Sequence, residues 1–370
     1  MKYKAYTLNE LAKIRYGKNQ KKVLNENGKI PIYGTGGLIG YANDYLYDKP
    51  SVLIGRKGTI DKVKYVEHKF WTVDTLFYTE INEKLVVPKF LYYLMSLLDL
   101  NQYNEGTTIP SLRTETLNRL EFSIPELSVQ RDILSCLNPI ELQIELNNKI
   151  NDNLQQQAIM IFNKFISGRD KNGCIGDYCT VKSGFAFKSS WWQNSGIRVV
   201  KIGSINQDNL DLNSCAFVSS DKMPFAKDFI VKGGDLLIAM TGATIGKFAM
   251  VPTIDEPVLV NQRVGKFFFD DNPIEKLPFI YCQLKQDEVY DEIINRGQGS
   301  AQPNVSATDI LNVPCVIPPI EEINKFNATV KPMFESIINN QSESHRLSVL
   351  RDLLLPKLMS GEIDISNIEL

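Results

Sequence analysis

The residue types that most often catalyse reactions are scarce in this chain. Its 370 residues include two histidines, His68 and His345, and six cysteines without a CxxC pair. Two histidines are too few for a histidine-based triad or an ordinary zinc site, and the dispersed thiols indicate neither a redox motif nor a disulfide framework. We therefore expect no metal site and reduced cysteines, and we place His345 on an exposed helix face.

One segment, residues 242–248, looks like a phosphate-binding loop. It has three residues between Gly242 and Gly246 where the nucleotide-binding motif has four, and Phe248 where a Ser or Thr would hold Mg²⁺. The tetrapeptides of amino-methyltransferases, Asn-Pro-Pro or Asp-Pro-Pro before an aromatic residue, do not occur. We therefore expect no catalytic residue, no cofactor and no enzymatic activity of the chain itself.

Composition and length bound the architecture around these residues. Apolar residues make up 43% and charged residues 23%, which is ordinary for a folded protein. At about 100–200 residues per domain, 370 residues indicate two domains or more. The longest uncharged apolar run, residues 90–98, is far shorter than the roughly 18 residues that cross a bilayer. We therefore expect a multidomain cytoplasmic protein.

Positive charge is unevenly distributed, although the formal net charge is only −2. Residues 1–29 contain eight basic and two acidic residues, residues 49–69 contain six and two, and residues 179–204 contain four basic residues and no acid. Such patches can neutralise phosphate groups. A solvated lysine surface without a ligand is the alternative for each patch.

Sequence strings recur at about half the length of the chain. Residues 106–112 (GTTIPSL) resemble residues 299–305 (GSAQPNV), and the offset of 193 persists to the two Ser-Gly pairs that end at Gly168 and Gly361. Upstream, residues 51–59 (SVLIGRKGT) resemble residues 235–243 (DLLIAMTGA) at an offset of 184. Two copies of one unit are the simplest explanation.

Each copy has two parts. The first is rich in glycine, aromatic residues and short apolar runs, and predicts short strands with helices near residues 88–98 and 278–286. The second predicts a long helix, because a heptad seam steps by four and three across residues 133–165 and 326–358. The predicted seam comprises Ile133, Leu137, Ile140, Ile144, Asn147, Leu154, Ile161, Phe326, Val330, Met333, Ile337, Asn340, Leu347 and Leu354.

The two predicted helices are too long to pack on one small domain each. About 40 residues at 1.5 Å per residue extend ~60 Å. We therefore predict that the helices pack on each other in an antiparallel pair, with Asn147 and Asn340 fixing the register. The alternative is that each helix packs only on its own domain. Pro356 is predicted to kink or end the second helix.

These strings, in this order around two heptad helices, resemble the specificity subunit of type I restriction-modification systems. The resemblance rests on residues 31–40, 51–60, 182–187, 234–242, 260–264, 302–304 and 353–362. It implies an α+β fold, with two β-rich α/β target-recognition domains joined by two long antiparallel coiled-coil helices in a pseudo-two-fold internal repeat. The implied bounds are 1–126 and 169–319 for the recognition domains, 127–168 and 320–363 for the spacer helices, and 364–370 for a C-terminal tail.

The resemblance also implies a function and partners. Each recognition domain would read one half of a bipartite double-stranded DNA target. The helices would set the spacer and dock two methyltransferase (modification) subunits, and restriction (nuclease/translocase) subunits are further partners that the sequence leaves open. The chain would be a non-catalytic specificity subunit. Two alternatives remain, namely a coiled-coil adaptor that binds only proteins and a stand-alone DNA-modifying enzyme.

Basic and amide side chains are the candidates for DNA contacts. Lysine binds phosphate without reading sequence, whereas Arg pairs with guanine and Asn or Gln with adenine in the major groove. The phosphate candidates are Lys18, Lys21, Lys57, Lys188 and Lys247. The base candidates are Arg56, Arg113, Asn261, Gln262, Arg263, Gln302 and Asn304. For each of them a turn-capping or surface role is the alternative. Trp191 and Trp192 could stack on nucleotides, but we favour packing in a core.

Overall fold

The computed structural model describes residues 3–269, 272–298 and 303–364, and the chain divides into two compact units. Unit 1 comprises Met1–Leu142 and Ser348–Leu370, and unit 2 comprises Gln143–Leu347. The boundaries between the units fall inside the long helices, between residues 142 and 143 and between residues 347 and 348. The reason is that each end of a long helix contributes side chains to the core of one unit.

Unit 1 is a set of small sheets with short helices. Its strands are β1 (Tyr3–Thr7), β2 (Ala12–Tyr16), β3 (Ile30–Gly34), β4 (Gly37–Ala42), β5 (Ser51–Gly55), β6 (Val63–Val66), β7 (Trp71–Thr72), β8 (Leu76–Ile81) and β9 (Glu121–Pro125). Its helices are α1 (Leu8–Leu11), α2 (Pro88–Ser96) and α3 (Thr114–Asn118), after which the chain enters the long helix α4 (Leu127–Ile166). An antiparallel sheet has the order β2-β8-β5-β6, a second sheet has the order β4-β3-β7 with β3 and β7 parallel, and β1 pairs with β9.

Unit 2 repeats this plan with additional strands. The strands are β10 (Gly173–Cys174), β11 (Thr180–Ser183), β12 (Trp192–Gln193), β13 (Ile197–Val200), β14 (Ile205–Asn206), β15 (Asn209–Leu210), β16 (Ala216–Val218), β17 (Ile230–Val231), β18 (Leu236–Ala239), β19 (Phe248–Met250), β20 (Val258–Val260), β21 (Val264–Phe268) and β22 (Pro314–Cys315). The helices are α5 (Leu277–Leu284), α6 (Asp287–Arg296), α7 (Ala307–Leu311) and the long helix α8 (Ile320–Ser360). The sheets have the orders β11-β21-β18-β19 and β12-β16-β13-β20-β17, and two-stranded pairs join β10 to β22 and β14 to β15.

The topology confirms the internal repeat. The order β2-β8-β5-β6 of unit 1 matches β11-β21-β18-β19 of unit 2, and β4-β3-β7 matches β16-β13-β20, including the parallel pair. Isolated bridges recur as well, because Lys57 pairs with Ser111 and Thr241 pairs with Asn304. Those residues stand at the two offsets found in the sequence. The predicted α+β fold of two β-rich copies with long helices is confirmed.

The apolar runs of the sequence form the buried centres of these sheets. Every residue of β5 and of β18 is buried. A strand that is covered on both faces reads as a continuous apolar run rather than an alternating one. One core packs β5 against α2 in unit 1, and another packs β18 against α5 in unit 2.

The long helices α4 and α8 run antiparallel where they meet within each unit. In unit 1, Leu137 of α4 shares a core with Leu355 and Leu358 near the end of α8. In unit 2, Phe165 near the end of α4 stacks on Phe326 near the start of α8, with ring centroids 5.0 Å apart. None of the predicted seam residues is exposed. The low-numbered part of one helix thus meets the high-numbered part of the other.

Polar residues interrupt this seam in unit 2. The Asn147 side-chain amide donates to the Glu343 carboxylate at 2.8 Å and to the Ser344 hydroxyl at 3.3 Å. The Asn340 amide donates to the Asn151 side-chain oxygen at 2.8 Å. Because these bonds need particular partners across the seam, they favour one register of the helix pair.

Pro356 does not end the second helix, because α8 continues to Ser360, whereas the predicted kink at this residue stays a prediction. Proline removes one backbone hydrogen bond from a helix interior. The neighbouring side chains of Leu355, Leu358 and Met359 are buried in the core of unit 1. This burial offsets the missing bond.

Candidate nucleic-acid interface

In unit 1 three backbone segments meet beyond the end of β5. The nitrogens of Arg56 and Lys57 donate to the Thr75 carbonyl at 2.9 and 3.2 Å, and the Arg56 carbonyl accepts from Leu112 at 2.9 Å. We call this group loop cluster 1. It comprises residues 56–58, 72–75 and 110–112. These backbone bonds join the three loops to one another.

A glycine in the left-handed region turns the chain in this cluster. Gly58 has a φ of 93°, and its nitrogen donates to the Pro110 carbonyl at 2.9 Å. Gly242 stands at the same position of the second copy, with a φ of 73° and a bond to the Pro303 carbonyl at 3.1 Å. A side chain would strain this conformation. The geometry explains why both sequence strings contain glycine here.

Three predicted contact residues lie together at loop cluster 1. The Arg56 guanidinium donates to the Asp74 carbonyl at 3.0 Å and lies 5.0 Å from the ring centroid of Tyr16. The backbone nitrogen of Lys18 donates to the carbonyl of Thr72 in this cluster at 2.8 Å. Lys18 and Lys57 are exposed. The cluster therefore presents one oriented guanidinium beside two solvated ammonium groups.

Loop cluster 2 is the counterpart in unit 2. It comprises residues 240–242, 260–263 and 303–305. The Met240 nitrogen donates to the Arg263 carbonyl at 3.0 Å, and the Met240 carbonyl accepts from Val305 at 2.9 Å. The predicted base contacts Gln262, Arg263 and Asn304 are exposed here. The amide and guanidinium groups of these three side chains are therefore accessible to a ligand from solvent.

One predicted base contact, Asn261, does not face solvent. Its residue is 9% exposed, and its side-chain oxygen accepts from the Arg263 nitrogen at 3.3 Å. This geometry fits the turn-capping alternative, because Asn oxygens often accept from the backbone two residues on. Another predicted base contact, Gln302, lies outside the described residues.

Three predicted contacts have other surroundings. Arg113 adjoins loop cluster 1, but its guanidinium pairs with the Glu105 carboxylate at 3.1 Å. Lys21 is exposed in a turn in which its nitrogen donates to the Asn19 side chain at 2.9 Å. Lys247 is half-buried in the connection between β18 and β19. No contact of the described residues joins these three to one another.

Several cations that the sequence pattern did not single out lie over aromatic rings. The Lys64 ammonium lies 4.2 Å from the ring centroid of Tyr33, and that of Lys201 lies 3.8 Å from a Trp192 ring. Desolvation lowers the pKa of Lys64 from its ordinary value. The available signal was the alternation of basic and aromatic residues within two of the basic patches, which is typical of nucleic-acid surfaces.

The tryptophan pair is half-buried. Trp191 stacks on Phe185 at 6.2 Å between centroids, and Trp192 packs on Phe187 at 5.4 Å. Lys188, a predicted phosphate contact, is exposed and lies 5.6 Å from a Trp191 ring. Packing in a core, the interpretation favoured from the sequence, describes the pair better than a fully exposed platform does.

His345 is half-buried rather than exposed, so its predicted position on an exposed helix face is wrong. Burial and the nearby Arg198 lower its pKa, while Asp211 and Glu256 oppose that shift. The reason is tertiary packing, because the side of α8 that contains His345 faces the sheets of unit 2. The heptad position of a residue alone does not predict that a sheet packs against that side of the helix.

Among residues 3–269, 272–298 and 303–364, no three His, Cys, Asp or Glu side chains come together as metal ligands. Every helix in these ranges is too short or too polar to cross a lipid bilayer.

Two copies of one α+β unit define a duplicated recognition protein whose surfaces suit a nucleic acid, because loop cluster 1 presents cations and loop cluster 2 presents an arginine with two amides. Comparison with known proteins gives the family. The model of the type I restriction modification DNA specificity domain matches residues 1–156 and 171–345. The chain belongs to this family.

Named relatives agree with this assignment over most of the chain. The type I restriction enzyme MjaIX specificity subunit of Methanocaldococcus jannaschii is 26% identical over 351 residues, covering 87% of this chain and 80% of the relative. The HindI specificity subunit of Haemophilus influenzae is 23% identical and covers 77% of this chain and 79% of its own. A crystal structure of the type I S subunit from M. genitalium shares the fold, with a TM-score of 0.53, 18% identity and coverage of 97% and 96%.

Proposed function

We propose that this chain is the DNA-recognition subunit of a type I restriction-modification complex, in which each unit reads one half of a bipartite target. The observation that supports this proposal most strongly is the repetition of the loop cluster. Loop clusters 1 and 2 use the same backbone bonds at the same repeat positions but present different side chains. Two loop clusters with similar backbones and different side chains suit the recognition of two different half-sites.

The side chains divide by role. Lys18, Lys57 and Lys188 are exposed, and lysine at a DNA surface neutralises phosphates, which sets position and salt dependence. Arg56 and Arg263 can form paired hydrogen bonds with guanine in the major groove. In this proposal the chain supplies recognition, and the other subunits of the complex supply methyl transfer and any cleavage.

The long helices fit a role as spacer and docking surface. Met160 on α4 is 71% exposed and Leu353 on α8 is 62% exposed, and these residues are 193 positions apart, which is the repeat offset. Repeated apolar residues on two related helices suit two copies of one partner. We infer that this partner is the methyltransferase subunit, which would sit once on each helix.

Mapping modified bases in cells tests the function. Cells that express this chain with its methyltransferase subunit should methylate one bipartite sequence, and cells that express the methyltransferase alone should not. Methylation of the same sites without this chain would contradict the proposal. Methyl transfer by the purified chain alone would favour the stand-alone enzyme instead.

Charged substitutions test the docking surface. Met160→Glu and Leu353→Glu should each weaken assembly with the methyltransferase, as measured by the mass of the complex in solution. Gln156→Glu, at an exposed polar position of α4, is the matched control and should leave assembly unchanged. Equal assembly of all three variants would remove these residues from the interface.

Lengthening the helices tests their role as a spacer. One heptad added after Asn151 and one after Ser344 would keep the seam pattern and add about 10 Å to each helix. At about 3.4 Å per base pair, the mapped target should gain about three base pairs between unchanged half-sites. Full activity with an unchanged spacer would show that the helices do not measure the gap.

A further inference from the structure

An aromatic side chain beyond loop cluster 2 has no assigned role. Phe225 is 62% exposed in the 3-10 helical segment Ser220–Phe229, immediately after Pro224. Its neighbour Ala226 is buried, so the backbone behind the ring is anchored. The ring is therefore a fixed apolar tip in solvent.

A chain of ring contacts connects this tip to loop cluster 2. Phe225 lies 5.5 Å from Trp191, and Trp191 stacks on Phe185 with an interplanar angle of 10°. The Phe185 carbonyl accepts from the backbone nitrogen of Gln262 at 2.9 Å. The exposed ring is thus continuous with the surface that presents Gln262 and Arg263.

Cations surround the aromatic array. The ammonium groups of Lys188 and Lys222 lie 5.6 and 5.2 Å from Trp191 ring centroids. Lys222 also pairs with the Asp221 carboxylate at 2.5 Å, whereas no carboxylate of the described chain pairs with Lys188. An apolar tip with the Lys188 ammonium near it is complementary to DNA, in which phosphates border the groove.

We propose that Phe225 contacts the methyl group of a thymine in the major groove, next to the bases read by Gln262 and Arg263. The thymine C5-methyl is the apolar group that base edges present in this groove, and phenylalanine is among the side chains that contact it. The inference rests on the proposed function. The inference predicts that unit 2 prefers an A·T pair at this position, in addition to any preference that arises from hydrogen bonds.

Removal of that methyl group tests the inference. The full chain with its methyltransferase subunits is measured on duplexes of the mapped target in which each thymine of the unit 2 half is replaced, one at a time, by deoxyuridine. Binding by the unaltered protein should fall about fourfold at one position, the effect of one buried methyl-sized group. Phe225→Ala should bind the thymine duplex as weakly and show no further loss with deoxyuridine.

Two further variants serve as controls for the effect of Phe225→Ala. Phe225→Leu retains an apolar contact and should retain part of the sensitivity to deoxyuridine. Ile320→Ala removes another exposed apolar side chain of unit 2 and should behave like the unaltered protein. If Phe225→Ala keeps the full sensitivity to deoxyuridine, or if the unit 2 half contains no A·T pair, the inference is wrong.

Other outcomes have distinct meanings. Equal loss of binding to all sequences by Phe225→Ala, together with loss of DNA bending, would make Phe225 a wedge between bases and overturn the methyl contact. Failure of the unaltered complex to distinguish the mapped target from a scrambled duplex would instead overturn the proposed function.

Discussion

The two units share a strand order but differ in the polar chemistry at equivalent positions of their central sheets. In unit 1, the Ser51 hydroxyl donates to the Thr79 carbonyl at 2.8 Å. In unit 2, Asp235 stands at the position of Ser51, and its carboxylate pairs with the Lys266 ammonium at 2.8 Å, with side chains 3% and 9% exposed. The comparison teaches that the pattern of apolar residues determines the strand order of the sheet. The buried polar residues that interact within the sheet can differ between the two units.

The loop clusters differ in a similar way. Arg56 of unit 1 stands where unit 2 has Met240, and Arg263 of unit 2 stands where unit 1 has Thr75, because the same backbone bond joins each pair. Each loop cluster therefore presents one arginine, but from a different loop. Under the proposed function, the two loop clusters would direct a guanidinium at different places on a base pair, which suits two unlike half-sites.

The largest predicted effect is at the buried ion pair. Lys266→Met would leave the Asp235 carboxylate buried without its cation, and loss of one partner of a buried pair costs about 3–5 kcal/mol. The free energy of unfolding should fall by this amount, and hydrogen exchange should quicken in β18 and β21 but not in β5. Urea unfolding with mass spectrometry of exchanged peptides measures both.

Ser51→Ala is the control for that experiment in unit 1. It removes a neutral buried hydrogen-bonding group and should cost about 1–3 kcal/mol, less than Lys266→Met. Equal costs for the two variants would show that the two sheets do not differ in the way described.

Substitution of the two arginines sharpens the comparison of the loop clusters. Arg56→Ala and Arg263→Ala should each cost ~1–3 kcal/mol of discrimination at one base pair, in different halves of the target. Lys188→Ala should weaken binding to all sequences alike and lower the salt slope by about one. Binding to a panel of single-substitution duplexes at several salt concentrations separates these results. Sequence-independent losses for both arginines would refute their role as readers.

The smallest predicted effect concerns His345 in unit 2. Since burial lowers its pKa, the folded state favours the neutral ring and the unfolded state binds the proton more readily. The stability of unit 2 should therefore fall as the pH falls through 6.5, the ordinary value. His345→Gln should lose this part of the pH dependence in unfolding curves. An unchanged profile would assign the dependence to other groups.

Sequence analysis predicted the features that repeat or are periodic. The heptad seam predicted α4 and α8 because side chains at spacings of three and four share one helix face. The recurring strings predicted two copies because homologous strands need similar apolar runs. The heptad spacing and the recurring strings both depend only on the order of residues along nearby stretches of the chain.

The features that it could not predict depend on contacts between distant segments. Asn261 was predicted from the sequence to contact a base, but in the fold its side chain caps its own turn. His345 was predicted to be exposed on the helix but is half-buried in the fold. Phe225 has no neighbour in the sequence that reveals its contact with Trp191. Such positions are set by packing after the elements form.

The central claim is that each unit reads its own half of the target, and exchange of one unit tests it most directly. Residues 1–125 are replaced by the corresponding segment of another type I specificity subunit, and methylated sites are mapped in cells that also express the methyltransferase. We predict that one half-site changes to that of the donor while the other half-site stays the same. A chimaera that methylates DNA with both halves changed, or with neither changed, would contradict the account.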